Sequence, residues 1–184
     1  MRGRRLAWLA CAAVAGAALG VPVGLNLATG PPASGPASAV GYDTVRNDPT
    51  PGLAGPTLDG HQFNLTDWHG HAVMIGVWAS WCAPCRTELR NLTDASTRWS
   101  THGLRVVTLN VRDDVDAARA LLADVGAADL PAVTDPDGAI AVAWRVYALP
   151  QTLLIDRAGR IRLQRLGPVT SVWLDREIPA LLST

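Results

Sequence analysis

The chain has 184 residues, enough for one domain plus a tail or an anchor. Its 16 basic and 16 acidic residues cancel to a formal net charge of zero, and no basic patch points to nucleic acid as a partner. Every basic residue is an arginine, so Schiff-base and lysine-nucleophile chemistry are excluded.

The N-terminus comes first in chain order. Arg2, Arg4 and Arg5 lie within residues 1–5, and 20 uncharged residues, Leu6 to Leu25, follow. That length is what a bilayer crossing needs. The run is rich in Ala and Gly and contains Pro22, so it makes a weak span. A positive flank stays in the cytoplasm and puts the remainder outside. The expectation is a transmembrane signal-anchor over residues 6–28, in a single-pass protein of the cell membrane with an extracytoplasmic domain. A cleaved signal peptide is the rival reading. Ala37-Ser38-Ala39 has the small-x-small form of a cleavage site but lies far beyond the apolar run. Cys11 reads as a small apolar residue of the span.

Residues 29–56 are rich in Gly, Pro, Ala and Ser and show no apolar period. They read as a tether, with the flexible linker set at 29–50 and the folded domain at 51–184. Two short strands around Asp59-Gly60 form a hairpin. Ala72 to Ala79 is apolar throughout, as in a central strand covered on both faces. A helix follows over Arg86 to Ser100, with Cys85, Leu89, Leu92, Ser96 and Trp99 as its buried stripe, stopped by Gly103. Leu104 to Val111 is the next strand. Asp113 or Asp114 caps a helix with Val115, Ala118, Leu122 and Val125 inward. Strand–helix–strand order implies a right-handed crossover and parallel pairing. Asp135-Pro136-Asp137-Gly138 is a turn, and Ala139 to Val146 a short helix. Leu149 to Asp156 and Arg160 to Leu166 make an antiparallel hairpin at one side of the sheet. Thr170 to Leu182 is the last helix, with Pro179 inside it.

The chemistry is concentrated in Ala79-Ser80-Trp81-Cys82-Ala83-Pro84-Cys85-Arg86. A buried strand ends here in a tight turn, with Cys82 at the mouth of a helix. A helix N-terminus favours an anion, here a Cys82 thiolate, and the thiolate is the nucleophile of disulfide exchange. Pro84 sits in the first turn, where its missing N–H does no harm. Half of a zinc site is the competing reading. His61, His69, His71 and His102 show no paired ligand spacing after the strand, and His69-Gly70-His71 reads as a loop at the opposite end of the sheet. A purely structural disulfide across so short a loop would contribute only about 2 kcal/mol. No metal and no cofactor is expected. In the mechanism this implies, Cys82 attacks a substrate disulfide, a mixed disulfide forms, and Cys85 resolves it.

Trp81-Cys82-Ala83-Pro84-Cys85 after an apolar strand resembles the active site of thioredoxin-like proteins. Leu58-Asp59-Gly60-His61-Gln62-Phe63-Asn64-Leu65-Thr66-Asp67-Trp68-His69-Gly70 looks like the N-terminal hairpin of the membrane-anchored TlpA/ResA group. Glu88, three residues after Cys85, matches a position where that group commonly has a glutamate. The resemblance covers about Pro51 to Leu182. It implies an α/β thioredoxin-like fold, a mixed central sheet flanked by helices with an N-terminal hairpin extension. It implies a cis Leu149–Pro150 bond beside the cysteines, with Trp81, Pro84, Leu149 and Pro150 contacting substrate and the backbone at Leu149 pairing with an extended chain. Two carboxylate positions of the family are empty here, occupied by Gly76 and Ala83. Glu88 is then either the proton-transfer acid or a solvated helix residue; Arg86 either favours the thiolate or is a plain surface arginine.

The resemblance implies an extracytoplasmic thiol–disulfide oxidoreductase reducing protein disulfides, with apocytochrome c or copper-site proteins as substrates and a membrane thiol carrier as electron donor. The alternatives are a disulfide-forming oxidase and a copper-delivery or client-binding module. A copper module would want Cys-x-x-x-Cys. A peroxidase would want Thr where this chain has Ala79. The neutral Ala83 and Pro84 predict a modestly stabilised thiolate and a couple towards the thioredoxin end of the potential scale.

Overall fold

The computed structural model describes residues 41–184. The predicted basic flank (1–5), the anchor (6–28), Cys11 and the first part of the linker (29–40) lie outside the described residues.

Six strands form one mixed sheet: β1 (Tyr42–Pro49), β4 (Ala72–Trp78), β5 (Leu104–Val111), β6 (Ala132–Asp135), β7 (Gln151–Ile155) and β8 (Arg160–Leu166). Their spatial order is β1-β8-β7-β4-β5-β6. β4, β5 and β6 are parallel, while β7 runs antiparallel to β4 and β8 to β7. The short strands β2 (Ala54–Pro56) and β3 (Gln62–Asn64) make the expected hairpin. The thioredoxin-like architecture is the one observed.

Burial on both faces explains why β4 reads as a continuous apolar run. Ala72, Met74 and Trp78 join a cluster with α1 (Cys85–Trp99), α2 (Val115–Val125) and α4 (Ser171–Leu182). Val73, Ile75 and Val77 join the cluster on the other face with Leu53 and Phe63 of the hairpin region and Ala141 of α3 (Ala139–Ala143). The side-chain period of two sends alternate residues to opposite sides.

The structure corrects several expectations. Residues 42–49 of the predicted linker are a strand, β1, antiparallel to β8. Its side chains are largely exposed, so its backbone pairs while its sequence shows no apolar alternation. The β7–β8 hairpin is therefore interior, covered by β1. In α2 Val115 faces solvent and Leu121 is buried, because the first helical position lies outside the packed stripe. Asp114, rather than Asp113, caps α2 by accepting from the Ala117 N–H at 2.9 Å. In α1 the stripe is Cys85, Glu88, Leu89, Leu92 and Ala95, and the smaller Ala95 takes the inward place expected of Ser96. α3 stops at Ala143, where Arg145 turns left-handed at φ 57°.

Candidate active site

The disulfide stands where the central strand hands over to the first helix. β4 ends at Trp78, and the Cys82 N–H closes a turn onto the Ala79 carbonyl at 3.1 Å. The Cys85 N–H then reaches the Cys82 carbonyl at 3.1 Å, and α1 starts at Cys85. Pro84 occupies the position before it with helical φ of −69°. Cys82 and Cys85 are disulfide-bonded, with Cα atoms 5.4 Å apart. Cys82 is 6% exposed and Cys85 is sealed, so an incoming sulfur meets Cys82 first.

The turn is pinned from the neighbouring strand end. Asp113, in the loop after β5, accepts from the Ser80 N–H and the Ser80 hydroxyl, each at 2.5 Å. It also accepts from Asn110 Nδ2 at 2.7 Å. The Trp81 indole N–H donates to the Arg112 carbonyl at 3.1 Å, leaving the ring 64% exposed beside the disulfide. The Leu149–Pro150 bond is cis, and Pro150 is buried. Half-buried Leu149 lines one groove together with Trp81. Sequence reasoning missed the Ser80–Asp113–Asn110 knot. Its signal is position: the loops after parallel strands β4 and β5 converge at their C-terminal edge.

Glu88 is one helical turn beyond Cys85 and only 2% exposed, which removes the solvated-acid reading. It accepts a hydrogen bond from the Thr152 hydroxyl of β7, while its second carboxyl oxygen has no hydrogen-bond partner among the described residues. Burial pushes its carboxyl up to about 8; the Thr152 hydroxyl and the Arg165 guanidinium oppose the shift. A neutral, proton-bearing Glu88 near neutral pH is the consequence. A Cβ built on Gly76 would run into the Leu92 side chain, so the alternative carboxylate position is filled by core. Arg165 is itself nearly buried and pairs with Asp43 of β1 at 2.9 Å. Asp43 also accepts from the Trp173 indole at 3.1 Å. Arg86 is engaged by Asp124 at the surface. His69 and His71 precede β4, at the end of the sheet away from the disulfide. Among the described residues no cluster of three or more His, Cys, Asp or Glu is arranged to hold a metal.

A family model described as the AhpC/TSA family matches residues 47–164. The thiol:disulfide interchange protein HelX of Rhodobacter capsulatus is 33% identical over 114 residues, 62% of this chain and 62% of that protein. The chain thus spans about three fifths of the length of that relative. The thiol:disulfide interchange protein DsbE homolog of Paracoccus denitrificans is 32% identical over 163 residues, 80% of this chain and 88% of that protein. A solved structure described as a thiol:disulfide interchange protein DsbE from Chlorobium tepidum superimposes with a TM-score of 0.68 at 31% identity, covering 74% of this chain and 97% of that one.

Proposed function

The chain belongs to the AhpC/TSA family, thioredoxin-like in fold, and on that footing we propose that it is a thiol–disulfide oxidoreductase reducing protein disulfides. One observation carries the reading: a Cys82–Cys85 disulfide at a helix mouth, its first sulfur reachable and its second sealed above a buried carboxyl. The names of HelX and the DsbE homolog support the class of reaction.

The structure holds the oxidised form, which two electrons convert to the dithiol. The Cys82 thiolate attacks one sulfur of the substrate disulfide. That S–S bond breaks, one substrate thiolate leaves and takes a proton, and Cys82 is joined to the other sulfur. Cys85 gives up its proton and attacks Cys82, expelling the second substrate thiol. The Cys82–Cys85 bond re-forms, and the substrate has gained two electrons and two protons. Glu88 is the only acid among the buried residues of α1; it rests protonated, and its ionised form, made more basic by burial, is the proton acceptor we assign to the Cys85 step.

The scarcity of positive charge at Cys82 supports the reductive direction. A strongly stabilised thiolate makes an oxidant. Arg86 is drawn to Asp124, and Ala83 and Pro84 are neutral, leaving the helix N-terminus as the main stabiliser. We further infer an extracytoplasmic, membrane-anchored protein fed by a membrane thiol carrier, with apocytochrome c or copper-site proteins as substrates. Arg2, Arg4 and Arg5 before the apolar run support the anchor.

The test is reduction of a protein disulfide by the dithiol form of the full chain. The parent turns over; Cys82→Ser does not. Equal rates for the two would sink the proposal.

A further inference from the structure

A cavity lies at the end of the sheet away from the disulfide, where β4 begins and β7 ends. It holds about 210 Å³ of space. Leu53, Val73 and Ile155, each no more than 2% exposed, form its apolar floor, and half-buried Leu65 and Trp68 wall one side. Trp68 is fixed edge-to-face on Phe63, with ring centroids 4.9 Å apart. Three stretches of chain meet around the opening: residues 50–53 after β1, residues 65–71 before β4, and the turn between β7 and β8. Backbone bonds tie them together, from the Thr50 N–H to the Gly159 carbonyl at 3.0 Å and from the Gly70 N–H to the Arg157 carbonyl at 3.3 Å. The walls stand in advance of any occupant, which lowers the cost of binding one.

The rim is rich in donors. Among the described residues neither the His69 nor the His71 imidazole makes a hydrogen bond or an ion pair, whereas those of His61 and His102 do. Even a neutral imidazole donates one N–H. Arg157 gives one guanidinium nitrogen to the Leu182 carbonyl at 2.6 Å and forms no ion pair among the described residues. The His69 ring and the Thr50 hydroxyl close on one spot over Gly159, 3.8 and 3.9 Å from where a Cβ would stand. The acid on the lining, Asp156, is already engaged. One of its oxygens accepts from the Ala158 and Arg160 N–H groups at 3.0 and 2.9 Å, and the other lies 3.8 Å from the Arg162 guanidinium. The charge left over on the lining is therefore the positive one of Arg157, and it asks for an anion.

We propose that this cavity binds a small organic carboxylate, its single ring or short branched chain on the apolar floor and its charged head against Arg157, His69 and His71. Size narrows the class. A dry apolar cavity of about 150 Å³ holds benzene. The larger space here takes one ring and one carboxylate, and falls short of what a drug-sized molecule needs. The site is separate from disulfide exchange, since Cys82 follows the other end of β4. A molecule seated here touches all three stretches at once. It staples the residues after β1 to the turn between β7 and β8, and so stabilises the folded chain.

The experiment titrates the isotope-labelled full chain with benzoate, benzyl alcohol and benzylamine, which share a ring and differ in the charge of the head. In NMR spectra benzoate should shift the amide signals of Leu53, Thr66, His71 and Gly159 and leave those of Trp81 and Cys82 in place. With about nine non-hydrogen atoms, it should half-saturate at about 10 mM or below. Benzylamine should bind about tenfold or more weakly. Arg157→Gln should weaken benzoate by about tenfold and leave benzyl alcohol unchanged. Joint replacement His69→Ala and His71→Ala should weaken benzoate as well. Saturating benzoate should raise the melting temperature and leave the rate of protein-disulfide reduction unchanged. No saturation by benzoate, equal binding of benzoate and benzylamine, or benzoate binding untouched by Arg157→Gln overturns the proposal. Shifts confined to Trp81 and Cys82, or competition between benzoate and the disulfide substrate, would place the anion at the disulfide end and also overturn it.

Discussion

Thr152 donates its hydroxyl to Glu88 from the strand beside the central one, at the register position that pairs with Gly76. The next strand places Arg165 opposite Thr152, and β1 places Asp43 opposite Arg165. A row of polar residues thus crosses the sheet under the first helix and ends at a carboxyl one turn from Cys85. The carboxyl comes from the helix because Leu92 occupies the space over Gly76.

That burial has a measurable effect on stability. Folding raises the Glu88 carboxyl from 4.5 to about 8, so the folded state keeps a proton that the unfolded state has released. Stability therefore falls as pH rises from about 4.5 to about 8, on the order of a few kcal/mol in all. Glu88→Gln, neutral at every pH, should flatten this slope and gain stability relative to the parent towards the alkaline side. Denaturant unfolding of the full chain near pH 5 and near pH 8 reads it. Parallel pH slopes for parent and variant would contradict the assignment.

Cys85→Ser keeps the reachable sulfur and removes the resolving one. Incubated with a protein disulfide, it should accumulate mixed disulfides visible on non-reducing gels. Turnover at the parental rate would rule out resolution by Cys85.

Asp113 holds the Ser80 end of the turn by three hydrogen bonds from Ser80 and Asn110. Asp113→Ala strands those donors, for a loss of about 2 kcal/mol. Activity should fall with it, since Cys82 is two residues beyond Ser80. Unchanged melting and unchanged reductase rates would show that the knot is incidental.

Equilibration with glutathione gives the potential of the Cys82–Cys85 couple. With Arg86 held by Asp124, it should lie nearer about −270 mV than about −120 mV. A value at the upper limit would make the protein an oxidase.

The proposed anchor predicts that the full chain stays with the membrane through alkaline and salt washing. Release of a soluble form with a new N-terminus near Val40 would point to a cleaved leader.

Much of this was legible in the sequence because the signals were strong and local. The apolar run ending in Trp81-Cys82-Ala83-Pro84-Cys85 set the central strand, the turn and the helix in one stroke. The cis Leu149–Pro150 bond came from resemblance, since no local pattern specifies it. Strand β1 was illegible because its stability lies in backbone bonds to β8, which leave no apolar alternation. The burial of Glu88 was open because its helix runs under a sheet whose register no short-range pattern reveals. Thr152, Arg165 and Asp43 come together only through that register.

Strand β1 also decides where a leash would pull. Val77, Gln151, Leu166 and Tyr42 form one row across four strands, at the end of the sheet that carries Cys82. The chain therefore enters the sheet at its working end, and the Pro49 end points the other way. Any restraint carried along the preceding residues is delivered beside the dithiol. Residues 29–41, fully extended, measure about 45 Å. Entry at the far end would have put a strand's length of protein between tether and sulfur. If the residues before it are held in a membrane, as proposed, Cys82 would stay within roughly the leash's reach of the surface, and partners fixed in the same surface would be the ones it meets.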